Sequence, residues 1–426
     1  MSTHEPLSST NDVDPDLAGK RLLILGAGLW QVPYILRARA LGVETWATDW
    51  SPTAVGRDAP HHFSPIDLRD RERTLEYARE ARVDGVMTAA DIGVPTAAYV
   101  AERLGLPGPG PRLAEAATNK RVMRDRALAA GLECPAFRAV RSTGAARTFD
   151  GDLPVIVKPT DSCSSRGVTF VDNAHAVGPA VEEALAASTG SGEALIEEFL
   201  RGVEGSVEAL VQDGVVTIFG VCDKTKSPLP HRYDLELRYP GYYSADRCRA
   251  IEEFVLRLVR GFDIVDAMLH VEFLLDEHGT VYLLEFAIRG CGSKVVTHLL
   301  PRLTGVDVVR AIIRQALGLR TPIPKPETRD GALHFLMFPA GRVAAVHGVA
   351  EAQRLPGVID ACVERAPGDT IGVIRDGRSR PGHVLVCGRS RDDVQAILRD
   401  VHATIRVEYD TGVLSAPLDL GTWTYA

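Results

Sequence analysis

A multidomain protein of mixed α/β and α+β class is what this sequence predicts. At roughly 150 residues per domain, 426 residues make about three domains. The first hundred residues alternate short apolar strands with helical patterns, as a parallel sheet requires. Beyond them strands occur without that alternation, and proline-rich breaks divide the chain. With 45% hydrophobic and 24% charged residues, the composition is that of an ordinary globular protein.

The elements follow in order. Met1 to Lys20 is polar and acidic without an apolar core and reads as a flexible tail, with no export signal; no later apolar run approaches the length of a membrane span. Residues 21–110 read as a small parallel-sheet domain. Arg21 to Leu25 is a buried strand, Val32 to Leu41 a helix, Glu44 to Thr48 and Gly85 to Thr88 strands, and Val94 to Leu104 a helix. Gly26-Ala-Gly28 sits where a dinucleotide fingerprint would, with Asp49 downstream, but Gln31 stands where a small residue is needed. A tight strand-to-helix turn is the preferred reading, with an NAD-linked oxidoreductase as the alternative.

Pro107 to Pro111 can sustain neither helix nor central strand and marks a boundary. Residues 111–320 carry strands at Pro154 to Lys158, Val168 to Val171, Ala194 to Phe199, Val215 to Val221, Met268 to Leu275 and Val281 to Ile288. The proline-spaced segment Thr321 to Thr328 opens a last α+β unit, 321–426, with a helix over Arg391 to Ala403.

Charge and cysteine usage exclude some classes of function. A net charge of −8 lacks the footprint of a nucleic-acid or anionic-membrane binder. Seven scattered cysteines without a C-x-x-C pair read as reduced thiols of a cytoplasmic protein, not as a zinc site or disulfide framework. Of the 48 basic residues only seven are lysine, so each ammonium stands out against an arginine background.

The segment from Met268 to Arg289 reads as a hairpin turning at His278-Gly279. Glu272 and Glu285 lie six residues on either side of that turn and therefore face each other. Period two adds His270, Ala287 and Arg289 to their face and sends Val271, Phe273, Leu275, Leu284 and Phe286 to the core. Two opposed carboxylates in an apolar hairpin call for a hard divalent cation, unless the strand slips or the pair is solvated at an edge.

Lys158 ends a strand stopped by Pro159, and Thr160 to Gly167 follows as a loop of small polar residues. Such a loop offers backbone N–H groups and hydroxyls to phosphate, or is an ordinary hairpin loop. Lys120 lies near a helix start, where a solvated lysine is the plain reading. Glu197, Glu198 and Glu204 flank a strand exit at Phe199-Leu200 and a loop.

Taken in order, Lys120, the V-x-K-P text at Lys158 with its Ser/Gly loop, Glu-Glu-Phe-Leu with Glu204, and the paired Glu272 and Glu285 resemble the ATP-grasp superfamily. The His270-x-Glu272-Phe text and the final unit, with Phe338-Pro-Ala-Gly-Arg-Val and Gly382-His-Val, resemble its L-amino acid ligase branch. The resemblance implies an ATP-grasp fold: a Rossmann-like domain, an ATP-grasp domain with a lid at about 121–195 and a core at about 196–320, and a C-terminal domain packed on the core.

It implies that Lys120 and Lys158, with Ser164, Ser165 and Gly167, hold ATP phosphates. Glu198 and Leu200 would present backbone groups to adenine, Glu197 would lie beside its amino edge, and Glu204 would bind the ribose. Glu272 and Glu285 would hold Mg²⁺, or Mn²⁺ in its place. Arg289 would steady the substrate carboxylate and the tetrahedral oxyanion, with Lys224 and His270 also in the catalytic set and His298 a candidate for the substrate pocket. The implied activity is an ADP-forming ligase joining a small-molecule carboxylate, an amino acid first, to an amine in the cytoplasm, with a homodimer as the family-level expectation. The alternatives are an acyl donor of formate or carbamate type, or a non-catalytic ATP-binding protein. The latter is motivated by Ala287, where the family often has a metal-binding Asn.

Overall fold

The computed structural model describes residues 13–146 and 151–419. Strands β1 (Arg21–Leu25), β2 (Glu44–Thr48), β3 (His62–Ser64) and β4 (Gly85–Thr88) form an all-parallel sheet in the order β3-β2-β1-β4. Helices Val32–Ala40 and Val94–Leu104 fall within a residue of the expected spans. The short β3 and the helix Arg71–Ala81, mostly polar and capped by Asp70, carry little apolar periodicity and were not expected.

The glycine turn after β1 is closed to a dinucleotide. A Cβ on Gly28 would meet Gln31 Oε1 at 3.0 Å, so the glutamine side chain occupies the space over the turn. Asp49, the acid that would take a ribose, instead accepts the Ala27 N–H at 3.0 Å. Part of the expected tail is corrected as well: within residues 13–20, Leu17 is fully buried and Asp14 binds Arg310 and Arg314. Residues 1–12 of that expectation lie outside the described residues.

Strands β5 (Phe137–Val140), β6 (Val155–Pro159), β7 (Thr169–Val171) and β8 (Ala194–Glu198) make a small antiparallel sheet, covered by helix Ala174–Ala187 through Val177, Ala180, Val181 and Ala184. The Ser-rich loop joins β6 to β7. Next come β9 (Val203–Gln212), β10 (Val215–Lys226), β11 (Asp234–Tyr239), β12 (Ala267–Leu275) and β13 (Val281–Ala287), then β14 (Asp330–Leu336), β15 (Gly341–His347), β16 (Val358–Val363), β17 (Thr370–Ile371), β18 (Gly382–Gly388), β19 (Arg406–Tyr409) and β20 (Leu414–Ser415).

One eight-stranded sheet runs β13-β12-β9-β10-β11-β14-β18-β16. The C-terminal unit, expected to pack on the core, thus contributes three strands to the same sheet, while β17-β15-β19-β20 form a second one. Strand β9 corrects the expected loop at Glu204. Its Glu204, Ser206 and Glu208 share one face, and its Val207, Ala209 and Val211 join the core under helix Ala245–Gly261 on the other.

In the hairpin Glu272 does pair with Glu285, and His270 with Ala287. A bulge lies between these pairs and the tip, where Phe273 pairs with Leu283. The bulge sends Leu283 into the core and leaves Leu284, expected there, on the other face. All seven cysteines are free, and among the described residues no helix is long and apolar enough to cross a membrane.

Candidate active site

A cleft of 1580 Å³ opens where the parallel sheet, the small antiparallel sheet and one face of the large sheet meet. Strands β10 and β12 line it with alternate residues, because period two puts every second side chain on the same face, while β9 adds Glu204 and the bulged β13 adds the consecutive Leu284 and Glu285. Into it project Lys120, Lys158, Ser164, Ser165, Glu197, Glu198, Leu200, Glu204, Lys224, His270, Glu272, Glu285 and Arg289. These positions come from segments scattered over 170 residues of chain, and folding brings them to one wall.

The lysines are buried and paired. Lys120 opens a helix capped by Asn119. Its Nζ lies 3.1 Å from Glu285 Oε1 and donates to the Ser162 carbonyl at 2.7 Å, which ties the Ser loop to the hairpin. Burial opposes its charge, but Glu285 outweighs burial and holds its pKa up. Lys158 Nζ lies 2.6 Å from Glu197 Oε2; here burial wins and the ammonium pKa falls below the ordinary lysine value. Lys224 bridges Glu272 at 3.1 Å and Asp234 at 3.6 Å, and those two carboxylates raise its pKa against burial.

Glu272 and Glu285 stand opposite each other, yet each is neutralised by its own lysine. Glu272 also accepts from His270 Nε2 at 3.1 Å, and His270 Nδ1 meets the fully buried Glu208. Burial pushes the imidazole toward neutrality, but Glu208 and Glu272 together raise its pKa to about 9. The ring is therefore an imidazolium that positions two carboxylates. Glu272 and Glu285, both turned to the cleft, supply the hard anionic oxygens that suit Mg²⁺; Ala287 between them and Arg289 adds no ligand. Among the described residues, Glu208, His270 and Cys291 also bring their ligand atoms within 4.8 Å of one another.

Other expected positions are occupied differently. Glu197 is clamped between Lys158 and the fully buried Arg124, whose Nε donates at 2.9 Å. Glu198 donates its N–H to Ala136 O, so that group is not available to a ligand. Glu204 is held by Lys226 at 3.0 Å and Arg232 at 2.6 Å. Arg289 forks onto Asp91 of the parallel-sheet unit at 2.8 and 2.6 Å. Ser164 and Ser165 adopt φ of 59° and 58°, a left-handed conformation costly for serine, stabilised here by Gly377 N–H donating to Ser164 O and by Ser165 Oγ donating to Arg232 O.

Two expectations are corrected. Gly167 is not among the cleft-lining residues: its φ is +70°, and a Cβ there would strike Ala187 at 2.6 Å, so its role is a close turn against the covering helix. His298 also lies outside the lining, bonded to Thr297 Oγ1 at 2.8 Å. Burial, then Lys294, lowers its pKa to about 4.

Sequence reasoning missed Asp91, Arg124, Glu208, Lys226, Arg232 and Asp234. Lys226 was within reach, since it lies two residues from Lys224 on a strand and is itself one of the rare lysines. The others had no local signal.

Three family models match in chain order: an ATP-grasp N-terminal domain over residues 36–108, an ATP-grasp domain over 151–298, and L-amino acid ligase C-terminal domain 2 over 334–410. The chain belongs to the ATP-grasp superfamily. The same architecture occurs in the L-amino acid ligase of Bacillus licheniformis, at 22% identity and a TM-score of 0.80 over 92% of this chain and 99% of that one. An uncharacterised protein of Sinorhizobium fredii is 25% identical over 76% of this chain and 68% of its own length. The large chain of carbamoyl phosphate synthase from Thermotoga is 26% identical over 66% of this chain, which spans only 26% of that relative. This ATP-grasp protein therefore shares its ordered set of domains with the proteins that it matches.

Proposed function

We propose that this ATP-grasp protein is an ADP-forming ligase that joins a small carboxylate, an amino acid first, to an amine. The observation that carries the reading is the convergence of Lys120, Lys158 and Lys224 with the opposed Glu272 and Glu285 on one cleft. A phosphoanhydride needs closely placed cations around it, and a divalent ion needs oxygen ligands beside them.

ATP lies in the cleft with its phosphates toward Lys120, Lys158 and the Ser loop. Glu272 and Glu285 would hold Mg²⁺, which when bound would supply neutralising charge to those phosphates. A substrate carboxylate oxygen attacks the γ-phosphorus, the bond to the β-γ bridging oxygen breaks, and ADP leaves. The amine nitrogen then attacks the acyl carbon, phosphate departs with the C–O electron pair, and the nitrogen loses a proton. Arg289 stabilises the oxyanion between these events, and the Ser loop, held to the wall by Gly377 and Arg232, excludes water from the acyl phosphate.

The test is ADP and phosphate release in a screen of paired amino acids and small carboxylates, with the mass of each product measured. Glu285→Ala is expected to abolish ADP release; retained turnover at ordinary Mg²⁺ would remove the metal assignment.

A further inference from the structure

Most buried cations of the cleft wall are matched to a carboxylate. Lys120, Lys158, Lys224, Lys226, Arg232 and Arg289 each lie 2.6–3.1 Å from a partner. Arg380 differs. It reaches the cleft from the C-terminal unit, partly buried, with its guanidinium carbon 3.3 Å from the centroid of the Phe335 ring. Its Nε donates to Gly377 O at 2.7 Å and its Nη1 to the Asp234 carbonyl at 3.0 Å. Among the described residues no carboxylate lies within ion-pair distance of it, and Nη2 has no hydrogen-bond acceptor.

A guanidinium so held is fixed in place and has no ion-pair partner, the state in which an arriving anion gains most. Burial pushes its pKa below the ordinary arginine value, and the more distant Asp234, Cys291 and Glu364 do not offset it. On the same wall Glu364 accepts from His383 Nδ1 at 3.3 Å, and Trp30 of the parallel-sheet unit lies 5.6 Å from the His383 ring. Cation, acid and aromatic surface thus converge from two ends of the chain.

We propose that Arg380 is the anchor for a carboxylate that the second substrate carries through the reaction unchanged. The acceptor is then an amine that bears its own carboxylate, and Glu364 faces its ammonium. The inference rests on the ligase reading, with Arg289 assigned to the reacting carboxylate and Arg380 to the spectator. The same fork would also suit a phosphate of the nucleotide, so the experiment separates the two sources.

Thermal unfolding of the full chain is measured with ADP and Mg²⁺ present while each standard L-amino acid, and then its carboxamide, is titrated in. At least one amino acid is expected to raise the midpoint, with its carboxamide bound about tenfold or more weakly, the ratio for a lost charge-assisted hydrogen bond. Arg380→Gln is expected to lose the amino-acid shift and keep the ADP shift, and Arg380→Lys to recover part of the former. The assignment is overturned if no amino acid binds, if the carboxamide binds equally well, or if Arg380→Gln keeps the amino-acid shift. Loss of the ADP shift instead would move Arg380 to the nucleotide. The carboxamide comparison on the unaltered chain reports that a carboxylate is bound, and the Arg380 variants, whose retained ADP shift shows that they fold, decide that Arg380 holds it. Failure of ADP to shift the unaltered chain would sink the ligase reading itself, a separate outcome.

Discussion

Lys158 shows how a single side chain is specified by its surroundings. Its ammonium sits 2.6 Å from Glu197, whose other oxygen is taken by the buried Arg124. There is room for a compact ammonium but not for a second planar fork beside Arg124. Lys158→Arg, which keeps the charge, should therefore lower ATP turnover about a hundredfold, roughly 3 kcal/mol in the barrier, as measured by steady-state ADP release. Near-normal activity would mean that the lysine does not touch the phosphates. His298 provides a pH test. Its pKa falls to about 4 in the folded chain, against about 6.5 when unfolded. Between those values the unfolded chain binds the extra proton, so stability drops as pH falls from 6.5 toward 4. The loss should be about 2 kcal/mol, discounted for partial exposure, and His298→Gln should flatten that part of a urea-denaturation profile.

The β12–β13 hairpin illustrates the element scale. Counting outward from a two-residue turn paired the right carboxylates by compensation. The tip is offset by one residue, and the bulge before Glu285 restores the count. Only the residues between tip and bulge betray the difference. Leu283 is fully buried whereas Leu284 lines the cleft and gives its carbonyl to Arg124 at 2.7 Å. Leu283→Ala should thus lower stability by about 3 kcal/mol in chemical denaturation. Leu284→Ala should change stability by less than about 1 kcal/mol and raise the KM for ATP. Equal destabilisation by both would mean that the bulge is absent in solution. Strand β9 adds a related lesson: polar residues at every second position, Glu204, Ser206 and Glu208, look like a loop until the neighbouring strands supply Lys226 and His270 to face the two acids.

Across the whole molecule, ion pairs join units that are far apart in sequence. Asp91 holds Arg289, and Asp14 holds Arg310 and Arg314 of helix Val308–Ala316. The Asp14 carboxylate is only 2% exposed, so Asp14→Ala takes the acid from Arg310 and leaves Arg314 with Asp16 alone. It should lower stability by about 2 kcal/mol, read as a shift in the thermal midpoint, while the KM for ATP stays unchanged. A neutral effect would return this stretch to the flexible tail expected from its composition. The fold class, three of the four strands of the parallel sheet, the Lys158 loop and the opposition of Glu272 and Glu285 were legible in the sequence by itself. Each rests on local physics: apolar periodicity, proline and glycine breaks, and the two-residue repeat of a strand. Only the tertiary structure decided that each carboxylate takes its own lysine, that Arg124 clamps Glu197, that Gly167 and His298 leave the cleft, and that Arg380 is left with no carboxylate. These outcomes depend on which distant cation arrives beside a given acid, across 73 residues for Arg124 and Glu197, and no local pattern encodes that choice.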